Sequence, residues 1–145
     1  MFRNIILTVS LCAIVCGCVR PDKVKVADID PLGWAGKDSV RIEMLNTDTT
    51  GLRSIALLVR FDNTFNRDSL PVSVRICTPD SLCFEETFTF SFNNAKRVNN
   101  DFFEATLPYR KNVVLNKLGT YVFSIANTGA ETRGLWGAGI AIEDN

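Results

Sequence analysis

Few side chains in this sequence can do chemistry by themselves. Histidine is absent, which removes the commonest general base, the commonest metal ligand and every histidine-containing triad. Cys77 and Cys83 share the parity of Ser73, Arg75, Glu85 and Thr87, the polar side of two successive alternating runs. A three-residue loop Pro79-Asp80-Ser81 sets residue 77 opposite 83, so the two thiols lie side by side on an outer face, where a disulfide is sterically feasible. The loop it closes is short, and chain entropy limits its stabilisation to about 2–3 kcal/mol. No C-x-x-C stands at a helix N-terminus, so a structural staple is expected rather than a redox centre. Asp62, Asn63, Asn66 and Asp68 crowd one loop, but the glycine and closing glutamate of a calcium loop are missing and polar turn residues are the expectation. Glu85 and Glu86 are adjacent, and on a strand they face opposite sides, so they cannot act as a glycosidase pair. Glu86 falls on the apolar parity, which suggests a bulge or an edge. Gly134, Gly137 and Gly139 do not follow a dinucleotide pattern and read as a Gly-rich turn. Trp34 and Trp136 are possible binding residues, stacking on sugar rings if exposed; packing at the ends of the fold is the competing reading. No metal and no cofactor is expected.

The remaining cysteine that matters is Cys18. Arg3, an apolar run from Ile5 to Val15 and then Val15-Cys16-Gly17-Cys18 precede an abruptly polar stretch. That is a secretory signal with a charged start, an apolar core and a small residue before the cut. A cysteine directly after the small residue resembles the lipobox of bacterial lipoproteins, in which the thiol is acylated and becomes the first residue. The apolar run is too short for a transmembrane helix, which needs about 20 residues. The expected organisation is a signal peptide over 1–17, a lipidated tether over 18–33 and one domain over 34–145.

Removal of the signal leaves 128 of the 145 residues, a length that suits one domain with a real core. Without Arg3, 15 basic residues face 16 acidic ones. The net charge of −1 gives no electrostatic reason to expect nucleic acid or a polybasic membrane surface. Cys77 and Cys83 are an even pair in a chain bound for an oxidising compartment.

Alternation with a period of two dominates the domain. Val40, Ile42 and Met44 alternate with Arg41 and Glu43, the signature of a half-buried strand. Residues 55–61 are apolar on most of both faces, which places that strand in the middle of a sheet. Leu70, Val72, Val74 and Ile76 make a clean strand, and Pro71 sets its start at an edge or bulge. Phe84, Phe88, Phe90 and Phe92 lie on one face of the next. Phe103, Ala105 and Leu107 form a strand stopped by Pro108; residues 109–117 read either as strand or as packed loop. Tyr121, Phe123 and Ile125 point inward from a further strand, and Ile140 with Ile142 closes the chain in a short one. No helical window of ten residues is present. The expected fold is all-β, an antiparallel β-sandwich of about seven or eight strands, immunoglobulin-like or jelly-roll-like.

The order of these features resembles the GldH family of gliding-motility lipoproteins of Bacteroidetes. After lipobox and tether come Trp34-Ala35-Gly36-Lys37-Asp38, then Val59-Arg60, Phe65, the strand Leu70 to Val74 and the Asp80-Ser81-Leu82 turn. Gly119 to Ile125 matches G-x-Y-x-F-x-I, and Leu135 to Glu143 is similar to the family's closing run. The resemblance covers most of residues 34–143. It implies a non-enzymatic component of a gliding-motility or secretion-associated complex, with other envelope proteins as partners and the membrane reached through the lipid at Cys18. Val19-Arg20-Pro21 lack the acidic residues that follow the cysteine in surface-exported relatives, which implies the periplasmic face of the outer membrane. The alternative class is a carbohydrate-binding or adhesin-like sandwich.

Overall fold

The computed structural model of the protein describes residues 23–145, and these fold into two antiparallel sheets packed face to face with no helix. The larger sheet has the order β1-β9-β3-β7-β6, the smaller β2-β8-β4-β5. The strands of the first are β1 (Lys23–Asp28), β3 (Leu52–Phe61), β6 (Lys96–Arg97), β7 (Phe103–Val114) and β9 (Leu135–Asp144). Those of the second are β2 (Val40–Asn46), β4 (Ser69–Cys77), β5 (Cys83–Ser91) and β8 (Gly119–Asn127).

The alternating sequences produce this arrangement directly. In β2 the burial alternates residue by residue, with Val40, Ile42 and Met44 inside. They meet Ile125, Phe123 and Tyr121 of β8 across the ladder. β3, apolar on both faces, lies between β7 and β9. Its Ile55, Leu57 and Val59 enter the core shared by the sheets, while Leu58 is buried on the other face.

Several sequence expectations require correction. Residues 23–28, expected to be tether, form the edge strand β1 paired along its whole length with β9. Their alternation is masked because Lys25 points into the space between the sheets and donates its Nζ to the Glu43 carbonyl of β2 at 2.7 Å. The glycines at 137 and 139 lie inside β9 and not in a turn. There they allow close approach of β1: a Cβ on Gly139 would fall 2.0 Å from the Lys25 carbonyl oxygen. Pro108 does not stop β7, which continues to Val114 through a shift of register against β3. A bulge absorbs the missing donor. Pro71 lies where β4 begins, just outside the rungs that pair with β8. Its carbonyl accepts from Thr128 there, so no ladder bond demands its absent N–H.

Two ends of the sandwich follow from the registers. One end carries Trp34, the β3–β4 loop and the start of β9. The other carries the β4–β5 hairpin tip, the β7–β8 loop and the first residue of β1. At this second end Arg53, 7% exposed, donates to Asn46 Oδ1 at 2.5 Å and pairs with Asp144 at 3.3 Å. Asn46 in turn donates to the carbonyls of Leu115 and Lys117, so one polar network joins both sheets.

Candidate functional site

Cys18 lies outside the described residues. The other four residues singled out from the sequence are all placed. Cys77 and Cys83 form a disulfide across the last rung of β4 and β5, with Cα atoms 4.1 Å apart. The tip beyond it turns through Ser81 N–H to Thr78 carbonyl at 3.0 Å and Thr78 N–H to Leu82 carbonyl at 2.8 Å. Ser81 supplies the left-handed residue of this three-residue loop at φ 66°, a position usually taken by glycine. The bridge is a staple of an exposed hairpin.

Trp34 is 1% exposed, which removes it as a stacking platform. It closes the first end of the sandwich through a two-way backbone bridge with Thr132 and an indole N–H bond to the Asp38 carbonyl at 2.7 Å. Asn127, fully buried, donates to the Trp34 and Ala130 carbonyls at 2.9 Å each and accepts from Gly129 N–H. An indole held this way is structural.

Trp136 differs. It falls at the register shift between β3 and β9, the extra residue of a bulge, and bulges re-aim side chains out of the ladder. It is 41% exposed. Its indole N–H donates to Asp62 Oδ2 at 2.6 Å. The other Asp62 oxygen accepts from the Thr64 N–H at 2.8 Å and from its hydroxyl at 2.5 Å. Partial burial pushes the Asp62 carboxyl up, but the bonds from the Thr64 hydroxyl and the Trp136 indole outweigh it and hold the group below the usual value of 3.8. With both oxygens engaged in fixing the loop and the indole, Asp62 positions Trp136. Among the described residues no group of three acidic or cysteine side chains is arranged to hold a metal ion.

Around Trp136 lies a shallow cavity of about 380 Å³ lined by Asp62, Asn63, Arg97, Asn100, Phe102 and Phe103, among others. Phe102 stands edge-on to the indole, with centroids 5.2 Å apart and planes at 83°. The two rings make an aromatic corner. Below it Phe61, Phe65, Phe92 and Phe103 pack ring against ring at 4.5–5.5 Å, a rigid base contributed by both sheets. Arg97 caps Phe103 at 5.4 Å. From the sequence Lys96-Arg97 reads only as a solvated basic pair on a loop, whereas Arg97 ends β6. Nothing marked Asn100 or Phe102, which sit on the β6–β7 turn without periodicity, and only the fold brings the three to Trp136.

The second feature is β5. It is the outer strand of the smaller sheet, nine residues long, paired only with β4. The Cys77–Cys83 rung is a closely spaced, non-hydrogen-bonded pair, and the register runs unbroken from it to Ser69–Ser91. Alternation therefore aims the N–H and C=O groups of Cys83, Glu85, Thr87, Thr89 and Ser91 away from β4, toward solvent. Glu86 faces the space between the sheets, as its parity demands. No bulge is present; the edge location accounts for it. The carboxylate meets Arg110 of β7, and Phe88 packs on Tyr109 at 5.8 Å. Burial raises the Tyr109 hydroxyl above its ordinary pKa. Phe84, expected inside with the other phenylalanines, is 62% exposed, because β5 runs past the cover that β7 provides.

No protein-family model matches this chain, and no curated protein matches it either. Among solved structures it is similar to the enzymatically active domain of tailspike protein 4 of bacteriophage CBA120, at 10% identity and a TM-score of 0.35. The likeness covers 86% of this chain and 18% of that one, so the chain spans less than a fifth of the tailspike domain's length.

Proposed function

We propose that this is a lipid-anchored envelope protein of the GldH kind that acts by binding another envelope protein, without catalysis of its own, in a gliding-motility or secretion-associated assembly. The observation that supports it best is the open β5 edge. Five residues there aim backbone donors and acceptors outward over a straight nine-residue strand, and an extended segment of a partner can add to such an edge by main-chain hydrogen bonds. Consecutive Glu85 and Glu86 blunt the edge against indiscriminate pairing, so a partner segment without carboxylates opposite them is selected. The lipid at Cys18 holds the protein on the outer membrane, with the domain on the periplasmic side.

A specific observation favours a second reading. The exposed Trp136 is locked by Asp62 into a perpendicular corner with Phe102, and the Asn63 and Asn100 amides beside it donate to no other described residue. Aromatic faces flanked by amides suit a saccharide. Crosslinking in cells followed by isolation of the acylated protein separates the two. The partner reading expects a discrete envelope protein, joined through β5. Recovery of none, with retention on a polysaccharide column that Trp136→Ala abolishes, replaces it with the saccharide reading. The anchor has its own test: Cys18→Ala is expected to leave the membrane fraction or to remain unprocessed, and a variant of wild-type size and membrane yield contradicts acylation.

A further inference from the structure

Ten large apolar side chains are exposed on the described domain, and they are not scattered. Leu45, Leu52, Leu82, Phe84, Val114 and Leu118 all lie within two residues of a strand terminus, or in a connecting loop, at the second end of the sandwich. Only Leu32, Val98 and Trp136 belong to the opposite end, and Val24 flanks the cluster near the start of β1. Single exposed apolar residues need no explanation, but a concentration at one end marks a contact surface.

The same end is where the described chain begins. Lys23 pairs with Ile142 near the finish of β9, and Cys18 is five residue steps earlier. Five steps of fully extended chain reach at most about 18 Å. A domain acylated at Cys18 is therefore held close to the bilayer, with this end nearest to it.

We infer that the end carrying the hairpin tip and the β7–β8 loop seats on the membrane that holds the anchor, its six apolar side chains entering the boundary between headgroups and acyl chains. The inference rests on the acylation of Cys18 proposed above. Two features fit a lipid surface of low net charge. Lys23, Arg53, Lys111 and Lys117 at this end are matched by Asp48, Asp80, Glu143 and Asp144, so apolar contact and not attraction to anionic lipid is the driving term. The protruding tip is also held in one shape. The Cys77–Cys83 bridge closes its base, Asp80 is bonded by the Thr78 hydroxyl, and Lys117 lies 4.0 Å from Asp80, tying tip to loop. Leu82 is thus presented on a tip closed by a covalent bridge, and Leu118 on the loop that meets it.

Indole quenching by brominated phosphatidylcholine tests this on the full acylated protein in vesicles. Leu118→Trp and Leu82→Trp each add an indole at the seated end, and Val98→Trp adds one at the far end. The first two are expected to lose most of the added emission, and the third to keep it. Equal quenching at both ends, or none at residues 82 and 118, overturns the seating. The mass of the Cys18 peptide is read on the same sample. An unmodified cysteine overturns the anchor and the seating together, whereas an acylated one beside an unquenched Leu118→Trp overturns the seating alone.

Discussion

Asp62 receives the indole N–H of Trp136 on one oxygen and both Thr64 donors on the other. A carboxyl whose folded pKa is depressed contributes stability that is complete above its unfolded value and is lost as pH falls through the folded one. The corner should therefore keep its geometry down to pH 3.8 and loosen only below it. Trp136 emission followed against pH should show a midpoint under the ordinary aspartate value, and Asp62→Asn should remove that midpoint; one at or above 3.8 contradicts the geometry. Asn127 is a separate case. Truncation to Ala strips the amide bonds from the Trp34 and Ala130 carbonyls, which keep the second bonds donated by Thr132, and leaves the Gly129 N–H without its acceptor. The lost bonds and the orphaned donor together cost about 1–3 kcal/mol. Urea unfolding of Asn127→Ala should report a loss of that size, and an unchanged midpoint would mean that water replaces the amide. Neither residue was legible in the sequence. Asp62 reads as one of four polar turn residues and Asn127 as the end of a strand, because their roles depend on partners 74 and 93 positions away.

The strands themselves were legible wherever one face is buried and the other wet. β2, β4 and β8 have this form, and their inward residues follow from parity. The hairpin register was equally accessible, since the loop length fixes it: residue 77 does face 83. Legibility fails for strands whose pattern has a second cause. β1 hides its alternation behind Lys25, which spans to β2. β9 hides its own behind small residues chosen for contact with β1. That account makes a prediction for Gly139. A Cβ there meets the Lys25 carbonyl at 2.0 Å, and such overpacking costs about 1–3 kcal/mol. Gly139→Ala should strip hydrogen-exchange protection from Val24 to Asp28 while leaving the smaller sheet protected; an undisturbed β1 would show that the strands have room to separate.

At the scale of the molecule, the proposed contacts divide between two ends and one side. The end bearing Trp136 and Phe102 projects away from the point where the described chain begins, the opposite end gathers the exposed leucines, and β5 is an outer strand running between them. The sandwich class could be inferred from composition and period alone. The grouping of exposed apolar residues could not, because Leu45, Leu82 and Leu118 are far apart in sequence and become neighbours only through the registers. The central claim is that β5 binds a partner through its backbone, and Thr87→Pro tests it most directly. The Thr87 N–H points away from β4 and makes no ladder bond, so proline is compatible with the fold at this edge position. It removes one donor from the middle of the strand an incoming segment would need. Pull-down of acylated Thr87→Pro from crosslinked cells should recover far less of the envelope partner than wild type does, at unchanged protein level and melting temperature. Recovery equal to wild type from an equally stable variant would contradict strand addition at β5.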